Sequence, residues 1–141
     1  MLIELHRRAH AVSHSQIDLL VKGAELAEME VGGTLVSFAP GHIKVATAWD
    51  GDGLEPYVEI IVTGFALVPA PGIDGLVALA SGRLDVDKAG IEVGNFITAD
   101  LMNVAIPAGH YAVTIFADTV TPMTARRVHF HFRSLSGQPQ E

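Results

Sequence analysis

The chain contains no cysteine among its 141 residues. Disulfide bonds, thiolate nucleophiles and the usual structural zinc sites are therefore excluded. The sequence also lacks an unbroken apolar segment after the basic pair Arg7 and Arg8, so we expect a cytoplasmic protein without a secretory signal. Its longest apolar stretch, residues 57–71, is interrupted by Glu59 and Gly64 and is shorter than the roughly 20 residues that cross a bilayer. No membrane partner is predicted.

Charged residues are scarce, at 18% of the chain, and hydrophobic residues make up 49%. This balance predicts a packed core, and the length favours a single domain over residues 1–133 with a polar tail at 134–141. The formal net charge is −7. Between residues 9 and 125, fourteen acidic residues stand against four basic ones, which makes the middle of the chain an acidic body. A nucleic-acid partner is disfavoured, because phosphate neutralisation requires clustered Lys and Arg.

Apolar and polar residues alternate with period two along most of the chain, the pattern of half-buried strands. We predict an all-β fold, a two-sheet antiparallel β-sandwich that is jelly-roll or barrel-like and has one short helix at 23–31. Residues 101–106 and 110–117 are predicted to pair as a hairpin around the turn at 107–109. The other predicted strands are the opening segment, broken near residues 13–15, and residues 34–38, 43–49, 57–68, 76–80, 83–86 and 126–133.

The final predicted strand has one apolar and one basic face. Its apolar face holds Val128, Phe130 and Phe132, and its basic face holds Arg127, His129, His131 and Arg133. A His-x-His pair on a strand places two imidazoles on one side about 7 Å apart, a spacing found in metal sites and anion pockets. The four basic residues are therefore candidates for binding an anion or another ligand, and the two histidines for binding a metal. The alternative is a solvated strand face that happens to contain two histidines.

A metal site at that strand would need a third ligand. His6, His10, His110 or a carboxylate from an adjacent strand are the candidates, and the first two would face the final strand if the chain ends pair. Signatures of enzymes are absent from the sequence, which has neither a glycine-rich phosphate cradle nor a Gly-x-Ser-x-Gly elbow. We therefore expect no cofactor and disfavour an enzymatic activity.

A set of acidic residues beside the single tryptophan is a candidate partner-binding surface. Its members are Glu25, Glu28, Glu30, Asp50, Asp52, Glu55 and Trp49. Such a negative surface steers basic partners towards a protein, and tryptophan is a frequent interface anchor. The alternatives are ordinary solubility charge and a tryptophan buried in the core.

Several segments together resemble the competence protein J family of DNA-entry nuclease inhibitors. The matching segments, residues 12–16, 35–38, 57–59 and 106–111, occur in the same order and at similar spacing over residues 9–118. The chain departs from the family pattern at His14 and over residues 25–31. The resemblance implies a β-sandwich that resides in the cytoplasm and inhibits a nuclease by binding it, without catalysis of its own.

Three hypotheses about function follow from these observations. The first is a non-enzymatic intracellular protein-binding module, an inhibitor or immunity-like partner of a basic protein such as a nuclease. The second is a small-molecule, anion or metal binder that uses the basic strand face. The third is a structural homo-oligomer in which exposed strand edges or the basic final strand pair two chains.

Overall fold

The computed structural model describes residues 3–13, 15–25, 35–48, 57–65, 75–87, 90–121 and 124–135. These residues form ten strands, and no helix occurs among them. The strands are β1 (Ile3–Ala11), β2 (Gln16–Val21), β3 (Val36–Ala39), β4 (His42–Ala46), β5 (Tyr57–Phe65), β6 (Val77–Val86), β7 (Ile91–Asn95), β8 (Asp100–Val104), β9 (Gly109–Ala117) and β10 (Arg127–Ser134).

The strands assemble into two five-stranded sheets. The first sheet has the order β1-β5-β10-β9-β6 and the second has the order β3-β4-β2-β7-β8. Neighbouring strands are antiparallel except β5 and β10, which run parallel. The prediction of a mostly antiparallel two-sheet sandwich is confirmed. The predicted helix falls mainly on residues 26–31, outside the described part of the chain, and within that part no helix has the length and apolarity to cross a membrane.

The core lies between the two sheets. The alternating residues Val58, Ile60 and Val62 of β5 face the other sheet, whose strand β2 contributes Ile17 and Leu19. All five side chains are fully buried, and burying such an aliphatic side chain contributes about 1.5–3 kcal/mol. The apolar face predicted for the last strand is also confirmed, because Val128, Phe130 and Phe132 are fully buried in the same cluster.

Two predictions about neighbouring strands are wrong. Residues 107–109 do not close a hairpin, because β8 belongs to the second sheet and β9 to the first, so this segment carries the chain across the sandwich. The two short strands predicted at 76–80 and 83–86 form the single strand β6, whose register with β9 shifts between Ala78 and Ala80. Strand β7 was not predicted, since it is short and its last two residues, Gly94 and Asn95, are typical of turns.

The first strand places three polar residues on the side of the sheet that faces the core, and of these only His10 is fully buried. Its register with β5 shifts between Glu4 and His6, and beyond that point His6, Arg8 and His10 pair with β5 residues that face the core. Directly paired residues of antiparallel strands share a face of the sheet. The chain ends do not pair with each other, because β5 lies between β1 and β10.

Candidate functional site

The final strand lies in the interior of the first sheet, between β5 and β9. Its two histidines are buried, with 1% of His129 and 2% of His131 exposed. The hypothesis of a solvated strand face is therefore wrong for both residues. Sequence alternation assigned them to the correct side of the strand, and only the surrounding structure shows that this side is covered.

A threonine of the neighbouring strand joins the two imidazoles. The Thr63 hydroxyl oxygen lies 2.8 Å from His129 Nε2 and 2.7 Å from His131 Nδ1. A hydroxyl has one proton to donate and two lone pairs, so at most one of the two rings accepts from Thr63 and at least one donates to it. The Phe116 ring packs 5.8 Å from the His129 ring, centroid to centroid, and with Leu76 it forms a second, smaller apolar cluster. We call Thr63, His129 and His131 the buried His–Thr–His group.

The two arginines of the predicted basic face have different environments. The Arg127 Nε donates to Glu59 Oε1 at 3.0 Å, and the other oxygen of that carboxylate lies 3.7 Å from Arg7 Nη1. Arg127 is thus neutralised at one end of β10. Its charge is shared in a network that links three strands of the sheet, β1, β5 and β10.

Arg133 is exposed at the opposite end of β10. The strand register places Arg133 beside Ala112 and Ala112 beside Arg83, so both arginines lie on one face about 10 Å apart at the backbone. Arg83 Nε donates to Asp85 Oδ1 at 2.9 Å, and His110 Nδ1 lies 2.8 Å from the same oxygen. The hydrogen bonds from His110 and Arg83 lower the pKa of Asp85. The sequence does not reveal this grouping, because its members come from three strands.

The fold does not gather the predicted metal ligands around His129 and His131. Across the described ranges, no group of three or more His, Cys, Asp or Glu side chains is arranged to hold a metal ion. His6, His10 and His110, named as possible third ligands, are not brought together with the His–Thr–His group into such a set. Binding of an anion or a metal by the basic residues of β10 remains a prediction.

Most of the predicted acidic partner surface lies outside the described residues. This is true of Glu28, Glu30, Trp49, Asp50, Asp52 and Glu55. Glu25 is described and is exposed just after β2. Beside that segment opens a cavity of about 550 Å³, whose lining includes the charged residues Lys22, Arg83, Asp85 and Asp87. Sequence reasoning missed this cavity, because its charged lining joins the end of β2 to the end of β6.

A cluster at the edge of the sandwich joins β1 to β8 and consists of His6, Arg8, His10 and Asp100. The Asp100 carboxylate accepts from the Ala11 amide at 2.6 Å and from the Arg8 guanidinium. His10 Nδ1 lies 3.1 Å from the Asp100 carbonyl oxygen and 3.2 Å from its carboxylate, and His10 Nε2 lies 2.9 Å from His6 Nε2. Asp100 therefore fixes both the position of β1 and the orientation of His10.

Both imidazoles of this β1–β8 cluster have lowered pKa values. Burial, the neighbouring His10 and the Arg8 guanidinium lower the pKa of His6 to about 4. Burial is also the main cause that lowers the pKa of His10, against the opposing effect of its hydrogen bond to the Asp100 carbonyl. The two rings are consequently neutral at pH 7, with lone pairs available on their nitrogens.

Comparisons with known proteins identify the fold. No protein-family model matches the chain, and no curated protein matches it. Among solved structures, it is similar to ComJ of Bacillus subtilis, an inhibitor of the DNA degrading activity of NucA, with a TM-score of 0.69 and 13% identity over 96% of this chain and 99% of ComJ. It is also similar to the crocagin biosynthetic gene J protein, with a TM-score of 0.63 and 9% identity over the same shares. The resemblance predicted from sequence segments is thus confirmed at the level of the fold.

Proposed function

We propose that this protein is a non-enzymatic protein-binding module that inhibits a basic protein such as a nuclease. The observation that carries the proposal is the structural match to ComJ, which extends over nearly the whole length of both chains. Because the match covers 96% of this chain and 99% of ComJ, the similarity extends over the whole architecture and is not confined to one motif. Residence in the cytoplasm is part of the same proposal.

The charge of the chain supports a basic partner. Its net charge of −7 creates a negative potential that attracts a positively charged surface over about 10 Å at 0.1 M salt. Nucleases that hold a phosphate backbone display such positive surfaces, so charge complementarity favours this class of partner. Electrostatic attraction of this kind accelerates association and weakens as salt is added.

The titratable side chains in the middle of each sheet are buried, so a partner protein cannot contact them directly. The His–Thr–His group is almost completely buried in the first sheet. In the second sheet, Asp18 Oδ1 lies 2.7 Å from His42 Nε2, and each side chain is only 1% exposed. These groups stabilise the sheets from within, and a protein partner would contact the exposed side chains instead.

The proposal is tested by capturing partners from native lysate with immobilised, untagged protein at 50 mM and 500 mM NaCl. We expect a basic protein that is retained at low salt, is released at high salt and degrades DNA when purified. Its DNA degradation should then fall in proportion to added inhibitor and stop near a one-to-one ratio. If the purified partner degrades DNA equally well with the protein present, or if no salt-sensitive partner is retained, the proposal is wrong.

Single charge reversals locate the surface. Glu25→Lys changes an exposed residue of the predicted acidic set, and Glu92→Lys changes a half-buried residue on β7 outside that set. We expect Glu25→Lys to slow association with the captured nuclease about threefold or more at 50 mM salt, because charges at the rim of an interface act mainly on the association rate. Equal effects of the two reversals would show that Glu25 lies outside the interface.

A further inference from the structure

One end of the sandwich collects exposed apolar side chains. Tyr57 begins β5 at this end, Ile97 lies in the turn between β7 and β8, and Val120 follows β9. Their exposed fractions of 64%, 52% and 62% are the highest among the large apolar side chains that the structure describes. Isolated exposed apolar residues are ordinary, but several on one part of the surface mark an interaction site. We call Tyr57, Ile97 and Val120 the apolar end patch.

Strand pairing brings these residues to the same end from both sheets. Ala11, the last residue of β1, pairs with Tyr57, and its carbonyl oxygen accepts a hydrogen bond from Thr98 Oγ1 at 2.9 Å. Tyr57 and the turn that carries Ile97 therefore lie on either side of Ala11. Val120 lies three residues beyond β9, whose neighbour β10 begins beside the first residues of β5.

The turn that carries Ile97 is fixed by hydrogen bonds. The side-chain amide of the buried Asn95 donates to the Ser13 carbonyl oxygen at 2.9 Å, and its oxygen accepts from the Thr98 amide at 2.8 Å. Ala99 has a φ of 61°, which is uncommon for a residue other than glycine. Such conformations persist where the surrounding structure determines them, and they cluster at binding sites. A turn that is fixed before binding loses little conformational freedom when a partner binds, which favours affinity.

The distribution of charge favours this end for a basic partner. The opposite end balances three exposed cations against three exposed carboxylates, which are Lys22, Arg83, Arg133, Glu25, Asp85 and Asp87. At the patch end, Arg8 is paired with Asp100. The exposed Arg126 is offset there by the exposed Asp118. Residues 49–56, which lead into β5, add three acidic residues and no basic one. This end therefore has an excess of negative charge, which attracts a positively charged partner.

We propose that the apolar end patch is the surface with which this protein binds a positively charged nuclease, with Tyr57 and Ile97 as its anchors. The inference rests on the proposed function and names its contact surface. Tyrosine is enriched among the residues that contribute most to protein–protein binding, and such residues lie among apolar contacts that exclude water. Strand β2 spans about 20 Å, so an interface of standard size, about 800 Å² per partner, can include Ile97 and reach Glu25 at its rim.

The test compares two isoleucines of similar exposure at opposite ends of the sandwich. Ile97 is 52% exposed in the patch, and Ile3 is 49% exposed at the start of β1. Replacing either by Asn removes an apolar side chain and changes no charge. DNA degradation by the nuclease captured from lysate is titrated with each variant at 50 mM NaCl. We expect Ile97→Asn and Tyr57→Ala to raise the half-inhibiting concentration about tenfold or more, and Ile3→Asn to raise it less than about twofold.

Binding kinetics separate contact from steering by charge. Loss of an apolar contact acts mainly on dissociation, so Ile97→Asn should release the nuclease about tenfold faster and leave the association rate within about threefold of the wild type. Circular dichroism and the melting temperature establish that each variant is folded.

The possible results distinguish failure of this inference from failure of the proposed function. If the wild type inhibits the nuclease and Ile97→Asn inhibits it as well as Ile3→Asn does, the proposed function stands and the patch is not the contact surface. If the wild type inhibits no captured nuclease, both are wrong. If the wild type sediments as a dimer that Ile97→Asn dissociates, the patch pairs two copies of this chain, and the inference is overturned.

Discussion

Replacing Thr63 by Val tests whether the buried His–Thr–His group stabilises the first sheet. The Thr63 hydroxyl makes two short hydrogen bonds, each with a net contribution of about 0.5–1.5 kcal/mol. The two imidazole nitrogens would lose this partner in an interior where a polar group left unsatisfied costs about 1–3 kcal/mol. We therefore expect Thr63→Val to lower the free energy of unfolding by about 2–4 kcal/mol. For a domain of this size, the melting temperature should fall by roughly 6–12 °C.

The chain offers a matched control for this substitution. Thr47 is also fully buried, and its hydroxyl has no hydrogen-bond partner among the residues described. Thr47→Val removes the same hydroxyl without breaking a bond, so its effect should be neutral or stabilising. Thr63→Ser keeps the hydroxyl and should retain most of the stability.

Urea unfolding of the wild type and the three variants, followed by fluorescence and circular dichroism, gives the free energies to be compared. Substitutions at surface positions usually change the free energy of unfolding by less than about 0.5 kcal/mol. If the free energies of unfolding of Thr63→Val and Thr47→Val differ by no more than this, the His–Thr–His group does not stabilise the sheet.

Two other predictions concern the buried Asn95 on β7 and His6 on β1. Asn95 is fully buried, and its amide donates to the Ser13 and Gln16 carbonyl oxygens. Asn95→Ala should therefore cost about 2–4 kcal/mol in urea unfolding, against less than about 0.5 kcal/mol for the exposed Asn103→Ala. The pKa of His6 is lowered to about 4, so the unfolded chain, with an ordinary pKa near 6.5, takes up the proton first and stability falls as the pH drops from about 6.5 to 4. Because solvent screens this half-exposed ring, the expected loss in free energy of unfolding is about 1 kcal/mol. If stability falls equally steeply with pH in His6→Gln, the loss does not come from His6.

Local patterns predicted much of the fold because strand alternation follows from backbone geometry. The residues Val128, Phe130 and Phe132 identify the core face of β10 from the sequence alone, since side chains of a strand alternate between its faces. Alternation does not show whether the opposite face is exposed to solvent. The structure shows that both His129 and His131 are buried, with the Phe116 ring beside His129 on the neighbouring strand and Thr63 between the two imidazoles.

Pairing between segments that are distant in sequence determines which residues come together in the candidate sites. His10 and Asp100 are 90 residues apart in sequence, and the register shift in β1 turns His10 towards the core side of the sheet. A local sequence pattern reveals neither a register shift nor the sheet to which a strand belongs. For the same reason, the segment at 107–109 was predicted to close a hairpin although the strands on either side of it belong to different sheets.

The sequence by itself determined the all-β class, the acidic charge, the lack of disulfides and the resemblance in fold to competence protein J. These properties depend on composition, on the order of segments and on a period of two residues, all of which are local or additive. Only the tertiary structure decided the strand order, the burial of the His–Thr–His group and the meeting of His6, His10 and Asp100. They depend on which strands become neighbours, and that choice is made by packing the whole core at once.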